Sequence, residues 1–474
     1  MSATRLARTR IIVTLAATLA ATFVASALFA QQMVPRPIDV SPRTAQPAAS
    51  AQPSATAPSA QTAQAALLGG AEPGSQLDIT LITFGLGEEV FERFGHNAIW
   101  VHDNLLGTDA AYDWGNFDFA QPHFIRRFLT GDTKYSMEER EAGAMLEAYQ
   151  RIGRPITLQR LALTPTQKVA LRDFLRWNAL AENKYYRYDY YLDNCSTRLR
   201  DALDRVLGGA IHTATDSSRT VLTYRRESVR LTDGDKPVQT GIDIALGRPA
   251  DTPLTPWESF FIPMRLRDGL RDVTVPAGPG GAHVPLVSDE RDIPPLPGMH
   301  AVPERASSPR MIWRLLPVGL VLAALVVGLR IMAISRRGAA WGLALFGMTW
   351  SLVCGALGVI LILMWTATLH KFWAWNENLL QLSPLSLALV VLIPMAWLGR
   401  KEERTARLAA FSILTIAGIG ALLALVPGGQ ENRAIVALIF PVHLALAWAL
   451  ALPTAVKPAK YRPPKPPKEK PFTI

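Results

Sequence analysis

Cys195 is one of only two cysteines in a chain of 474 residues. The other, Cys354, sits in the middle of an apolar run long enough to cross a bilayer, so the two cannot pair. Asn194 precedes Cys195, while Leu199, Leu203, Val206 and Leu207 come after it at helical spacing and Gly208 and Gly209 end the pattern. Asn is a favoured helix cap. It places Cys195 in the first turn, where free N–H groups and the helix dipole favour a thiolate. A cysteine can equally be a small core residue. The N-terminal segment predicts export, and a capped, unpaired thiol in an oxidising compartment favours a thiol that is used.

A thiolate nucleophile needs a base and a group to orient that base. His96, at the start of the apolar run 97–102, is the leading candidate for the base, with His102 and His123 as competitors. His102 precedes a polar Asp-Asn turn and reads as a surface residue. The orienting group is expected from the adjacent strand around 111–117, Asp113 first and Asn116 second. Strand alternation points those two to opposite faces, so at most one fits.

The elements that would position these groups begin near Leu77. Segments 77–84 and 97–102 are rich in β-branched and aromatic residues and read as strands. Ser136 and Glu139 have the spacing of a capping box, which predicts a helix carrying Met145, Tyr149 and Ile152 on one face. Thr164 and Gln167 form a second capping box, with Pro165 at the first helical position. Residues 77–270 are therefore expected to form one α+β domain.

Around that domain the composition changes sharply. Arg5, Arg8 and Arg10 precede an apolar run at 11–30, a signal peptide or N-terminal anchor that exports the chain downstream of it. Residues 31–76, dominated by Pro, Ala, Ser, Thr and Gln, lack the apolar surface to offset ordering entropy and read as a disordered linker. Residues 271–311, rich in Pro and Gly, read as a second linker. Five apolar spans come next, near 313–333, 341–367, 379–398, 408–426 and 434–452, forming an all-α membrane domain over 312–453.

The formal charge of +10 does not point to nucleic acid. Lys457, Lys460, Arg462, Lys465, Lys468 and Lys470 sit in one tail, 454–474, and Arg336, Arg337, Arg400 and Lys401 lie between spans. That distribution obeys the positive-inside rule, with the tail cytoplasmic and the loops 368–378 and 427–433 outside.

One outer loop, 370–378, carries His370, Asn376, Glu377 and Asn378 beside Trp373 and Trp375. The tryptophans suit a membrane interface, and the polar residues add a candidate substrate-facing surface. His443, beside Pro441 in the last span, is an ionisable residue within the bilayer and a further candidate. No His/Cys/Asp cluster has metal-ligand spacing, and Thr-Phe-Gly-Leu-Gly at 83–87 lacks the Lys-Ser/Thr of a phosphate loop, so neither metal nor cofactor is expected.

Taken together, Thr-Phe-Gly-x-Gly (83–87), Phe-Gly-His-Asn (94–97), Tyr-Asp-Trp-Gly-Asn-Phe-Asp-Phe (112–119), Tyr-Arg-Tyr-Asp-Tyr (186–190) and Asp-Asn-Cys-Ser-Thr-Arg (193–198) resemble the N-terminal periplasmic domain of the Lnb family. In the membrane region His370, Asn376, Asn378 and Pro384 resemble a family loop. Members of that family act as lipoprotein N-acyltransferases. The order of histidine before cysteine is also similar to circularly permuted papain-like enzymes of the NlpC type and of the lecithin:retinol acyltransferase type. The resemblance implies a permuted papain-like periplasmic domain followed by a transmembrane bundle in a bacterial inner membrane. It implies Cys195 as nucleophile and His96 as base, with Asp113 the expected third member. Within the motifs, Asn97, Asn116, Tyr190 and Asn194, with His370, Asn376 and Asn378, are the candidate substrate contacts.

Three functions compete. Acyl transfer from a phospholipid donor to an amine, such as the N-terminal cysteine of a lipoprotein, explains the membrane spans, because both substrates live in the bilayer. A cysteine amidase or peptidase of the cell wall would use the same fold but needs only a tether. A non-catalytic assembly factor leaves the capped Cys195 and its histidine without a purpose.

Overall fold

The structure is a computed structural model describing residues 72–118, 120–278, 280–305, 310–398 and 402–452. The N-terminal segment 1–30, nearly all of the linker 31–76 and the basic tail lie outside these residues.

The N-terminal domain is built on one seven-stranded antiparallel sheet, in the order β6-β4-β3-β2-β1-β5-β9. Its strands are β1 (Leu77–Phe84), β2 (His96–Asp103), β3 (Thr108–Asn116), β4 (Lys134–Glu141), β5 (Ile156–Leu161), β6 (Tyr185–Arg187) and β9 (Val287–Ile293). Strands β7 (Thr274–Pro276) and β8 (His283–Pro285) form a separate hairpin. Helices α1 (Phe124–Thr130), α2 (Ala142–Arg151), α3 (Pro165–Ala179), α4 (Cys195–Val206), α5 (Ala210–Thr215), α6 (Tyr224–Leu231), α7 (Lys236–Ala245), α8 (Pro256–Ser259) and α9 (Pro263–Leu270) complete the domain.

Side-chain alternation along the central strands decides which helix packs where. Leu77, Ile79 and Leu81 of β1 face one side with Ile99 and Trp114, and there meet Leu171 and Leu175 of α3, Leu199 and Leu203 of α4 and Leu266 and Leu270 of α9. Ile82 and Phe84 point the other way, with Ala98 and Ala111, and pack on Ala142 and Met145 of α2. Trp114 is fully buried, and its ring N–H donates to Asn178 at 2.9 Å, so its one polar atom is satisfied.

Three expectations are corrected. Ser136 and Glu139 lie in β4, not in a capping box. The next helix starts at Ala142, where the Glu141 carboxylate accepts the N–H groups of Gly143 and Ala144. The local spacing suits a helix start, but pairing with β3 on one side and β6 on the other claims 134–141 for the sheet. The segment 271–311 is not simply a linker, because β9 pairs with β5 and closes the edge of the sheet. Its sequence, Val-Ser-Asp-Glu-Arg-Asp-Ile, is that of an exposed edge strand, whose polarity resembles a linker when read alone.

The third correction concerns the membrane region. Among the described residues, four helices are long and apolar enough to cross a bilayer: α10 (Ile312–Met332), α11 (Arg337–Ala367), α13 (Glu403–Leu423) and α14 (Arg433–Ala451). The fifth, α12 (Ser386–Trp397), has 12 residues and reaches only ~18 Å at 1.5 Å per residue. Ahead of it, 377–385 is a 3-10 turn and irregular chain. That backbone is satisfied by protein, not lipid. The Gln381 amide donates to the Ala417 carbonyl at 2.8 Å, and His443 Nε2 donates to the Gln381 carbonyl at 2.9 Å. His443, a functional candidate by sequence, thus has a structural partner.

Candidate active site

Cys195 is the first residue of α4, and the turn before it is heavily constrained. The Asp189 carboxylate accepts the N–H groups of Tyr191 and Leu192, both at 3.0 Å, and Asp189 and Asp193 form an antiparallel bridge. Asn194 then caps the helix. Its side-chain oxygen accepts the N–H groups of Ser196 and Thr197 at 2.9 Å, and its own N–H donates to the Thr197 hydroxyl at 2.8 Å. Its amide nitrogen donates to the carbonyls of Tyr190 and Phe261, both at 2.9 Å. The whole amide of Asn194 is therefore spent on presenting Cys195. The thiol is 8% exposed, at the inner edge of the main core.

His96 opens β2, opposite Phe84 of β1. Its Nε2 lies 2.8 Å from Oδ2 of Asp113, a buried carboxylate on β3. Asp113 pairs in register with Ala98, two residues along β2 from His96 and on the same face, which is how the sheet brings acid and imidazole together. The second carboxylate oxygen faces Arg140 Nε at 3.6 Å. Arg140 in turn donates to Asn116 at 2.7 Å, and Asn116 donates to the Asp113 backbone carbonyl at 3.2 Å. Of the two candidate orienting groups, Asp113 touches the ring and Asn116 sits one layer behind it.

With Nε2 taken by Asp113, Nδ1 is the nitrogen left for the thiol, and the side chain of Cys195 interacts with the ring. Burial opposes charge on His96, but Tyr149, Cys195 and Asp113 overcome it and hold its pKa well above the ordinary histidine value. Phe84 and Tyr149 stack on each other at 3.7 Å, and the His96 ring lies beside that pair, 6.0 and 6.1 Å from their centroids with near-parallel planes.

Gly115 stands where these groups converge. The pairing of β3 with β4 shifts register between Trp114 and Asn116, leaving Gly115 unpaired at φ +96°. A Cβ there would lie 3.4 Å from Cys195 Cβ, 3.9 Å from His96 Cε1 and 3.9 Å from Tyr188 Cε2. The missing side chain leaves room for a reacting group between thiol and imidazole. Gly115 and Tyr188 lie within the aromatic motifs at 112–119 and 186–190, and residue type alone does not mark either as part of the site. A glycine inside an otherwise aromatic strand is the one signal that points to Gly115.

The remaining candidates separate from this centre. Asn97 is fully buried on the opposite face from His96 and donates to the Thr83 hydroxyl at 2.8 Å, joining β2 to β1. His102 is bound to Asp109 at 2.7 Å near the far end of β2. His123 is the exposed residue before α1, with a left-handed backbone. Tyr190 packs edge-on against Tyr188, 5.7 Å between centroids, and stacks on His370 at 6.1 Å.

Asn376 and Asn378 are buried in the seam between the two halves of the protein. Asn376 donates to the carbonyls of Ile244 and Ala245, both at 2.9 Å. Asn378 donates to those of Asp243 and Ile244, at 3.2 and 3.0 Å. Gln430, from the loop between α13 and α14, donates to the Leu246 carbonyl at 3.1 Å. These are the carbonyls that the C-terminus of α7 leaves without helical partners, so loops between the long apolar helices cap a helix of the N-terminal domain. Gly247 lets the strand of chain beyond α7 press against the backbone of Ala374, and its N–H donates to the Phe372 carbonyl at 2.7 Å. Arg226 pairs with Glu431 at 2.5 Å beside the same seam.

Residues 71–228 match the family model described as the Lnb N-terminal periplasmic domain. No curated protein and no solved structure matches the chain. The match spans β1 to α6 and includes Cys195, His96, Asp113 and Gly115. The segment that carries this site is therefore similar to the Lnb N-terminal periplasmic domain.

Proposed function

We propose that this protein is a thiol-dependent acyltransferase of the bacterial inner membrane, with a periplasmic catalytic domain of circularly permuted papain-like type. The observation that carries the reading is the position of the Cys195–His96–Asp113 constellation. It lies in a domain clamped, through the loops at 370–378 and 428–431, onto helices able to cross a bilayer.

In the first half-reaction His96 takes the Cys195 proton through Nδ1, and the thiolate attacks the ester carbonyl of a phospholipid acyl chain. The carbon–oxygen bond breaks, the lysophospholipid leaves as the alcohol with the proton returned by His96, and the acyl group stays on sulfur as a thioester. In the second, a neutral amine attacks the thioester, its surplus proton passes to the site, and the thiol is regenerated. The N-terminal amine of a lipoprotein is the acceptor that fits an enzyme held at the membrane surface. Asp113 holds the ring and supports its positive charge, without taking the proton itself. Asn194 and Asn97 serve as positioning groups, and Asn376 and Asn378 as the clamp.

A cell-wall amidase would use the same three residues. It gives no reason for loops of the membrane region to cap α7, since a tether would suffice. Mass spectrometry of the purified full-length protein after incubation with phospholipid vesicles separates the two. An acyl adduct on Cys195, absent in Cys195→Ala, is expected. An unmodified Cys195 that still cleaves peptidoglycan stem peptides would overturn the assignment.

A further inference from the structure

Helix α1 is short, and its outward face carries Ile125 at 56%, Phe128 at 40% and Leu129 at 54% exposure. Exposed apolar side chains scattered singly are ordinary, but three on two turns of helix form a patch. The patch has a defined height. Helix α11 ends at Ala367, and two residues later the N–H of Leu369 donates to the Thr130 carbonyl at 2.8 Å. His370 Nε2 donates to the Phe128 carbonyl at 3.1 Å. The C-terminus of α1 is therefore pinned to the emerging end of a membrane-crossing helix. Leu369 and Trp375, exposed at 52% and 67%, flank the same level. Arg126 on the helix supplies positive charge suited to lipid phosphates, while Arg127 is paired with Asp132 at 3.3 Å.

A continuous aromatic surface joins this patch to the thiol. Phe128 meets Tyr190 edge-on at 6.3 Å, Tyr190 meets Tyr188 at 5.7 Å, and Tyr188 borders the space at Gly115 beside Cys195. Tyr188 stacks on Tyr135 at 4.2 Å, and Phe117 and Phe124 continue the row back to α1. Tyr190 is 40% exposed, so the row is partly an open surface and not only a filled core.

We propose that α1 inserts its Ile125 and Leu129 face into the outer leaflet and that the Phe128–Tyr190–Tyr188 surface is the binding lane by which a phospholipid acyl chain reaches Cys195. The occupant is an acyl chain because the lane is apolar and aromatic along its length and begins at bilayer height. This rests on the acyl-transfer reading, but the placement of α1 can be measured without any turnover.

The test uses full-length protein in phospholipid vesicles. Nitroxides are attached at Ile125→Cys or Leu129→Cys, in a Cys195→Ala, Cys354→Ala background. Relaxation by oxygen, which partitions into lipid, is compared with relaxation by a water-soluble nickel complex. Leu106→Cys, in the exposed turn after β2 and at the opposite end of that strand from His96, is the aqueous control. Positions 125 and 129 should favour oxygen and position 106 nickel. Nickel-dominated relaxation at 125 and 129 would overturn the insertion.

In the native-cysteine protein, the double variant Ile125→Glu, Leu129→Glu should lower acylation of Cys195 by vesicle phospholipid by roughly tenfold or more, since it puts two charges on the exposed apolar face that enters the lipid. Alkylation of Cys195 by iodoacetamide should be unchanged, which reports an intact domain. Acylation at the wild-type rate in this variant would overturn the lane. Lipid-embedded nitroxides with no acyl adduct even in wild type would instead sink the acyl-transfer reading and leave the insertion standing.

Discussion

Two polar clusters in this molecule are both largely buried and are put to different uses. Around Cys195, the imidazole of His96 has one nitrogen held by Asp113 and the other left for the thiol, and its Cε1 borders the space beside Gly115. In the seam, Asn376, Asn378 and Gln430 direct their amide donors to backbone carbonyls at 243–246. A polar side chain whose hydrogen bonds are consumed by backbone is a fastener. One left facing a space beside a nucleophile is available for chemistry. For residues such as Asn376 and Asn378, which read as substrate contacts in the sequence, the destination of each donor decides the case.

The sharpest test of the contrast is loss of the thiol. Cys195→Ser should fold and insert normally yet lose turnover entirely, because a serine hydroxyl is a far weaker nucleophile at nearly the same volume. His96→Ala should slow adduct formation by roughly 10²–10⁴-fold, the contribution of a positioned general base. His102→Ala, remote from the gap, should leave the rate of adduct formation alone. Rapid single-turnover measurements of acyl-adduct formation check all three.

Filling the gap is the next largest effect. Gly115→Ala places a methyl beside Cys195, His96 and Tyr188 and forces a side chain onto left-handed backbone, at a cost of about 1–2 kcal/mol. Acylation by lipid should fall well beyond what the stability loss explains, as judged by the thermal transition of the same preparation. Wild-type acylation would show that the space beside Gly115 is not where the ester reacts.

Asp113→Asn should be milder than His96→Ala and should show itself in the pH profile. The folded protein holds the His96 pKa above its ordinary value, so the protonated ring persists to higher pH than in a free histidine. Leaving-group protonation is lost as pH rises through that raised value, which sets the alkaline limb of turnover. Removing the Asp113 charge lowers the pKa, and the alkaline limb should move to lower pH. An unmoved limb would mean that Asp113 does not support the charge on His96.

The seam should respond in stability before chemistry. Asn378→Ala leaves the carbonyls of Asp243 and Ile244 without its donor, worth about 1–3 kcal/mol in a buried setting. Gly247→Ala should loosen the same contact by clashing with the Ala374 backbone. Both should lower the thermal transition of the full-length protein in detergent, while iodoacetamide alkylation of Cys195 keeps its rate. A variant with unchanged stability but lost lipid turnover would return Asn378 to the substrate.

Much of this protein is determined by local sequence alone. The N-cap at Asn194, the capping box at Thr164 and Gln167, and the four long apolar helices depend on neighbours within a few residues or on hydropathy over one helix length. Cys195 stands out because the one other cysteine of the sequence lies within a helix long and apolar enough to cross a bilayer, and His96 because a strand begins there. What tertiary structure decided are matters of pairing between distant segments. Pairing with β3 and β6 drew 134–141 into the sheet although its spacing also suits a helix start. Pairing with β5 made a strand of a polar stretch that reads as linker. The register between β2 and β3 set Asp113, and not Asn116, against His96, and a bulge emptied the space at Gly115. The asparagines of 376 and 378 became a clamp because the end of α7, more than a hundred residues earlier in the chain, lacks partners for its last carbonyls. Hydrogen-bond satisfaction is a property of the folded whole, and no window of sequence contains both halves of such a bond.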